Sequence, residues 1–134
     1  MAQYETPLNS PVGSTLVSFT QAYATNPETG DPIVTVSTIT ALTSVRLYAV
    51  DIDNTANTDA AFLKLFLGTG SFSVGDNPHI ILKAPGLVRI QYTFDVGIAV
   101  ADTIKGYACG TSGRGAASDP SLTGDIISRI MLGT

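Results

Sequence analysis

The stretches VRLYAVDIDN (45–54) and AFLKLFL (61–67), joined by a polar bend, decide the fold of this chain. Successive side chains of a β-strand point to opposite faces, so residues of equal parity share a face. One face carries Arg46, Tyr48, Val50 and Ile52 in the first stretch and Phe62, Lys64 and Phe66 in the second, and the other carries Val45, Leu47, Ala49, Leu63, Leu65 and Leu67. Both stretches are therefore predicted to be strands of a hairpin-like core, buried on one face and partly covered on the other.

The mixed face of these two strands is predicted to contact a sister subunit or a second sheet. Tyr48, Phe62, Lys64 and Phe66 are its candidate contact residues. A lysine between two aromatic residues can lie along an apolar surface with its ammonium group in water. Lys64 is therefore expected to point outward or toward a partner subunit.

Short strand-like stretches recur along the rest of the chain, each bounded by Gly, Pro, Asn or Asp. They cover residues 15–24, 33–40, 79–84, 87–94, 97–100, 103–109 and 125–132. The alternation is clearest in 87–94, where one face carries Val88, Ile90, Tyr92 and Phe94 and the other face is mostly polar. The stretch 125–132 fits either a closing strand or a short helix. Eight or nine short strands without a long amphipathic helix predict an all-β, antiparallel β-sandwich of jelly-roll or immunoglobulin-like type.

Residues 1–14 differ from the rest of the chain and are predicted to form an extended N-terminal arm, with a single sandwich domain at 15–134. Turn formers and prolines dominate this segment, and Tyr4, Pro7 and Pro11 are its candidate contacts. An extended arm of this length reaches up to roughly 45 Å, far enough for a neighbouring subunit. The N-terminus lacks the pattern of a signal peptide, and no apolar run is long enough to predict a membrane span.

The charge content favours an assembled protein. Only 13% of the residues are charged, against roughly 25% in average domains, so little repulsion keeps copies apart. The net charge is −4, and the seven Lys and Arg residues are scattered along the chain. Nucleic-acid binding needs clustered cations, so no direct nucleic-acid partner is expected.

Residues with catalytic or metal-binding chemistry are sparse. His79 is the one histidine and Cys109 the one cysteine, so an internal disulfide is impossible and a zinc site is improbable. His79 is expected to be a surface or strand-edge residue, and Cys109 a buried, inert thiol. No catalytic, cofactor-binding or metal-binding residues are predicted, and the protein is expected not to be an enzyme.

Three acidic residues in the bend, Asp51, Asp53 and Asp59, weakly resemble a calcium loop. The EF-hand spacing fails, because Gly is missing at its sixth position and Glu at its twelfth. The favoured alternative is that Asp53 and Asn54 end the strand and cap the turn through side-chain hydrogen bonds to the backbone. The glycine-rich stretch 110–115 lacks the Gly-Lys-Ser/Thr of a phosphate-binding loop and is expected to be a connection.

Residues 44–110 resemble small β-sandwich virion proteins of tailed bacteriophages. Those proteins carry a Y-A-V-x-I-D-N strand, a Y-x-K-L-Y strand, a P-x-G turn and a G-L-A strand. The matching segments here are LYAVDIDN (47–54), AFLKLF (61–66), ILKAPG (81–86), YTF (92–94) and GIA (97–99). The arm and the last twenty-five residues have no counterpart in the pattern.

The resemblance implies a non-enzymatic virion protein, made in the host cytoplasm and placed on the capsid exterior. Its first implication is a capsid decoration, or cement, protein that forms a homotrimer and binds a major capsid protein. A tail or head–tail connector component is an alternative within the same class. A carbohydrate-binding adhesion module is an alternative of another class, although such sites usually expose aromatic side chains and this chain has no Trp.

Overall fold

A computed structural model describes residues 14–21, 28, 36–40, 44–68, 70–74, 76–100, 103–110 and 124–133. The described residues form strands and connections, without a helix. The strands are β1 (Ser14–Gln21), β2 (Ser37–Thr40), β3 (Val45–Asp53), β4 (Ala61–Leu67), β5 (Ile80–Ala84), β6 (Arg89–Val100), β7 (Ile104–Cys109) and β8 (Ile126–Gly133).

The strands pair as one long hairpin rolled into two sheets. β1 pairs with β8, β2 with β7, β3 with β6 and β4 with β5, all antiparallel. The pairs β3–β8 and β4–β7 complete the sheets, whose orders are β1-β8-β3-β6 and β2-β7-β4-β5. This order is that of an eight-stranded jelly roll. The predicted antiparallel sandwich is confirmed, and the pairing selects the jelly roll over the immunoglobulin-like alternative.

The core lies between the two sheets and is aliphatic. Its buried members are Leu47, Val50, Ile52, Val100, Ile126, Ile130 and Leu132 from the first sheet and Ala61, Leu63, Leu65, Leu82, Ala84, Ile104 and Ala108 from the second. Removing a Leu or Ile side chain from water contributes roughly 1.5–3 kcal/mol. The apolar alternation seen in the sequence therefore provides the main force that holds the sheets together.

The expected hairpin between the two opening stretches is wrong. β3 belongs to the first sheet and β4 to the second, so the connection 54–60 crosses between sheets. Two strands can pack face to face from opposite sheets, or they can be hydrogen-bonded neighbours in one sheet. Apolar and polar residues alternate along each strand in the same way in both arrangements. Leu63 and Leu65 accordingly face Leu47 and Val50 across the core.

Strict alternation along β3 is also wrong, because the strand contains a bulge. Leu47 pairs with Leu132 and Ala49 with Met131, which leaves Tyr48 as an extra residue. The extra residue reverses the parity, so Leu47 and Val50 both enter the core.

The partner strand β6 is irregular at the same level, between residues 93 and 98. Gly97 has a φ of 72°, and a Cβ there would lie 2.9 Å from the Tyr48 ring. A guanidinium N–H of Arg46 donates to the carbonyls of Val96 and Gly97 at 3.2 and 3.4 Å. The predicted strands 87–94 and 97–100 thus merge into one bent strand.

Other expectations have mixed outcomes. Residues 126–133 form a strand and not a helix. In the stretch 87–94 the core contacts of Ile90, Tyr92 and Phe94 are confirmed, but Val88 is exposed. Tyr4, Pro7, Pro11 and the stretch 111–115 lie outside the described residues, and Ser14, the last residue of the predicted arm, already belongs to β1. Within the described part of the chain, no helix is long and apolar enough to cross a membrane.

Candidate functional site

The candidate contact residues of the mixed face are divided between the two sheets. Tyr48 lies on β3, whereas Phe62, Lys64 and Phe66 lie on β4, so the four do not share a face as predicted. Lys64 is fully buried, with its ammonium nitrogen 5.7 Å from the centre of the Tyr107 ring on β7. The expectation that Lys64 points outward is therefore wrong, because neighbouring parts of its own chain cover it.

Phe66 is fully buried as well, in an aromatic cluster on the outer side of the second sheet. Its ring stacks on Phe72 at 4.7 Å and on Tyr107 at 6.3 Å. Phe62 and Tyr48 remain half-buried, so their contact with another subunit stays a prediction.

His79 and Cys109 have the settings that their sequence surroundings suggest. His79 is exposed beside the first residue of β5, its Nδ1 accepts the Leu67 N–H at 2.9 Å, and its ring meets the edge of Phe72. Cys109 is a buried thiol that forms no disulfide. The strand-edge histidine and the buried thiol are therefore confirmed.

Asp53 caps the bend, as the favoured alternative predicts. Its Oδ1 accepts the N–H of Thr55 at 3.0 Å and the Thr55 hydroxyl at 2.6 Å. Burial by itself raises the pKa of Asp53, but the two Thr55 hydrogen bonds and the nearby charges of Arg89 and Arg129 outweigh it and lower the pKa below its ordinary value. Among the described residues, no group of three or more His, Cys, Asp or Glu is placed to hold a metal ion.

Asp51 lies at the centre of an ion cluster on the first sheet, outside the core. Its carboxylate is only 3% exposed and accepts hydrogen bonds from Nε and a terminal nitrogen of Arg89. A nitrogen of Arg129, its cross-strand neighbour on β8, lies 3.9 Å away. The hydrogen bonds that Arg89 donates to Asp51 raise the pKa of Arg89. A small pocket of about 250 Å³ adjoins this pair, and the Asp51 carboxylate that lines it is hydrogen-bonded to Arg89.

The strongest candidate site is the apex, which we define as loop 54–60, loop 85–88 and Gly124. Two buried asparagines hold it together. The Asn54 side-chain amide donates to the carbonyls of Asp59, Ala84 and Pro85 at 2.9–3.2 Å. The apex is thus a rigid, hydrogen-bonded unit and not a set of separate loops.

Asn57 extends this network to the start of the last strand. Its side-chain N–H donates to the Asn54 side chain and to the Gly124 carbonyl, at 2.9 and 3.1 Å. Its side-chain oxygen accepts the Gly124 N–H at 2.8 Å. Each buried amide therefore replaces the water that the loop backbones would otherwise bind.

Leu87 has an unusual conformation at the tip of loop 85–88. Its φ is 62°, in the left-handed region that bulky residues avoid, and its side chain is 63% exposed. The Leu87 N–H donates to the Asn57 carbonyl at 2.8 Å, and the Val88 carbonyl accepts the Asn54 N–H at 3.0 Å. These two bonds fix the loop in a conformation that turns Leu87 toward solvent.

Gly86 allows the two loops of the apex to meet. A Cβ on Gly86 would lie 1.9 Å from the Thr58 carbonyl oxygen, closer than any real contact. Only glycine permits this approach of one backbone to the other. Gly86 therefore determines where Leu87 and Val88 are presented.

The apex is apolar at its tip and acidic around it. Leu87 and Val88 are two of the three exposed large hydrophobic residues in the described part of the chain; the third is Val96 on β6. Asp59 in loop 54–60 and Asp125 next to Gly124 are exposed, as is Lys83 two residues before Pro85, while Arg89 is paired with Asp51. The described part of the apex therefore combines an exposed apolar tip with exposed carboxylates.

The sequence interpretation missed the apex. The strand predicted over 87–94 places Leu87 and Val88 on opposite faces, because neighbouring residues of a strand alternate. Two large apolar residues directly after a Pro-Gly turn are a usable signal of an exposed tip. The roles of Asn57, Arg89 and Arg129 had no local signal, because their partners lie far along the chain.

No protein-family model matches the chain, and no curated protein matches it at a significant level.

Proposed function

We propose that this protein is a non-enzymatic structural protein of a tailed-bacteriophage particle, a capsid decoration protein on the exterior of the head. The observation that carries the proposal is the eight-stranded jelly-roll order of the two sheets. This order recurs in viral capsid domains. The resemblance of residues 44–110 to phage virion proteins supports the same conclusion.

The surface supports a role in assembly, which matters because one fold serves many functions. Charged residues make up only 13% of the chain, and several of them neutralise one another around Asp51. A surface with so few free charges suits a protein that is held on a lattice. By resemblance, the partners are two further copies in a homotrimer and a major capsid protein.

A carbohydrate-binding module is less well supported. Sugar sites usually present exposed aromatic rings for stacking. Every Tyr and Phe among the described residues is buried or half-buried, and the exposed hydrophobic residues are Leu87, Val88 and Val96. Aliphatic tips suit apolar pockets better than sugar rings, which favours a protein partner.

Quantitative mass spectrometry of purified particles tests the proposal. We expect the chain in many copies per head, and antibody-gold labelling on the head surface. Labelling confined to the tail or to the head–tail junction would support the connector alternative. Absence from the particles would refute the proposal.

Deletion of residues 1–13 tests the role of the arm while keeping all of β1. We expect the shortened protein to bind particles more weakly and to protect them less against heat. A variant that replaces the arm by a Gly-Ser segment of equal length is the matched control for bulk. Unchanged retention of both variants would show that the arm does not dock.

A further inference from the structure

We infer that the apex is the surface by which this protein docks, and that Leu87 and Val88 enter an apolar pocket of a capsid-lattice protein. The inference rests on the proposed function and deepens it by naming the contact. The four predicted contact residues that the structure describes, Tyr48, Phe62, Lys64 and Phe66, lie outside the apex, so the assignment comes from the structure.

The first argument is backbone strain. A left-handed φ is unfavourable for leucine, and such conformations persist where surrounding bonds over-determine them and where function uses them. The bonds to Asn57 and Asn54 supply this constraint, and Gly86 gives the loop its close approach. The left-handed conformation of an exposed leucine does not stabilise the folded chain by itself. Its cost is explained if the side chain contacts a partner.

The second argument is rigidity. Apolar anchors that are already fixed before binding lose little conformational entropy when they dock. The buried amides of Asn54 and Asn57 hold both loops and Gly124 in one unit. Leu87 and Val88 are thus held in a fixed position before binding, and burying them in a partner would remove their apolar surface from water.

The third argument, charge, selects the occupant. Two exposed carboxylates, Asp59 in the apex and Asp125 next to it, outnumber one exposed lysine, Lys83, and the basic Arg89 is held by Asp51. An acidic surround repels anionic lipid headgroups and nucleic acid, and it attracts basic or N–H-donating groups. The expected partner is therefore a protein with an apolar pocket and a basic or N–H-donating rim.

Val96 provides an internal control. It is even more exposed than Leu87, at 80%, but it lies on the bent part of β6, eight residues after Val88. At about 3.3 Å per residue this places it roughly 25 Å along the chain from the apex. A hydrophobic residue with similar exposure is thus available outside the proposed contact.

The test is rebinding of purified protein to particles of the encoding phage grown without its gene, measured by co-sedimentation. The variants are Leu87→Asn, Val88→Thr and the control Val96→Thr. Asn tolerates the left-handed region, so Leu87→Asn keeps the loop conformation and removes only the apolar side chain. We expect Leu87→Asn and Val88→Thr to bind roughly tenfold to a hundredfold more weakly, and Val96→Thr to bind like the wild type.

The outcomes separate this inference from the proposed function. If the wild type rebinds and Leu87→Asn rebinds equally well, the apex is not the docking surface, and the proposed decoration role is unaffected. Failure of the wild type to rebind would overturn both. Circular dichroism of each variant verifies that lost binding is not lost folding.

A second arm distinguishes a protein pocket from a membrane. The wild type and Leu87→Asn are sedimented with vesicles of phosphatidylcholine, with and without phosphatidylglycerol. We expect no binding to either vesicle. Vesicle binding that disappears in Leu87→Asn would overturn the protein occupant in favour of a lipid surface.

Discussion

The N–H of Leu87 donates a 2.8 Å hydrogen bond to the carbonyl of Asn57, which joins the connection after β5 to the connection after β3. The two residues are thirty positions apart in the sequence. This bond helps to hold the left-handed φ of Leu87, 62°, and the exposed orientation of its side chain. It links a buried polar network to an exposed leucine in the left-handed conformation.

Replacement of Leu87 by Asn should make the free protein more stable. The left-handed conformation costs leucine roughly 1–2 kcal/mol, and Asn less, so we expect a gain of about 0.5–1 kcal/mol in the free energy of unfolding, measured by urea denaturation. Leu87→Ala keeps the Cβ and should change little. A loss of stability in Leu87→Asn would mean that the leucine side chain supports the fold and is not reserved for a partner.

Replacement of Asn57 by Ala should destabilise the apex. The change leaves the backbone N–H and carbonyl of Gly124 without their side-chain partner in a buried position. We expect a loss of about 2–3 kcal/mol on thermal or chemical unfolding. The exposed Asn77→Ala is the matched control and should cost less than about 0.5 kcal/mol.

Replacement of Gly86 by Ala should be among the most damaging small substitutions. The added methyl group would overlap the Thr58 carbonyl, so the two loops must separate. We expect a loss of about 3 kcal/mol or more, together with faster hydrogen exchange in loop 54–60. Gly70→Ala, whose nearest contact would be the tip of the Phe72 ring at 3.0 Å and not a backbone atom, should cost less. Equal effects of the two substitutions would argue against the close loop contact.

The coupling between Asp51 and Arg89 should appear in a double-mutant cycle. The carboxylate is almost fully buried and accepts two kinds of N–H from one guanidinium group. Each single alanine variant should lose about 2–3 kcal/mol in the free energy of unfolding. Asp51→Ala leaves the Arg89 cation without its carboxylate partner, and Arg89→Ala leaves the buried carboxylate without its main donor. The double variant should lose less than the sum of the two. Strict additivity would show that the pair is not coupled.

Stability should fall in acid partly through Asp53. Since its pKa is lower in the folded chain than the ordinary 3.8, the unfolded chain takes up the proton first as the pH decreases. The stabilisation is complete well above the ordinary pKa and is lost as the pH falls through the folded value. Asp53→Asn keeps a capping oxygen and removes the charge. The free energy of unfolding of this variant should therefore lie below that of the wild type by an amount that shrinks as the pH falls from about 6 to about 2. A deficit that is independent of pH would contradict this, and the exposed Asp95→Asn is the control.

Much of the sandwich was predictable from local patterns. The alternation in LYAVDIDN (47–54) and AFLKLFL (61–67), and the turn residues between stretches, located β3 and β4 closely. Asp53 was predictable as a cap because its partner, Thr55, is two residues away. Signals of this kind depend on neighbours within a few residues, and the sequence displays them directly.

The candidate site was not predictable in the same way. Lys64 is polar, and the local pattern therefore places its side chain on the outside. In the structure this side chain is buried, and its ammonium nitrogen lies near the ring of Tyr107, more than forty residues later. Tyr48 was placed with the Phe62–Lys64–Phe66 row because the local pattern shows neither the bulge, which reverses the parity along β3, nor the change of sheet. Parity tells which residues share a side of one strand, and does not tell which strands share a sheet.

The sequence by itself therefore determined that this protein is an antiparallel sandwich of short strands, because a two-residue period and local turn chemistry are properties of neighbouring residues. Only the tertiary structure decided the jelly-roll order, the burial of Lys64 and the existence of the apex. The apex, for example, depends on contacts between distant segments: Asn57 with Gly124, Gly86 with Thr58, and Leu87 with Asn57. Such contacts form when the rolled hairpin closes, and they place an exposed leucine where the local pattern predicted the polar side of a strand.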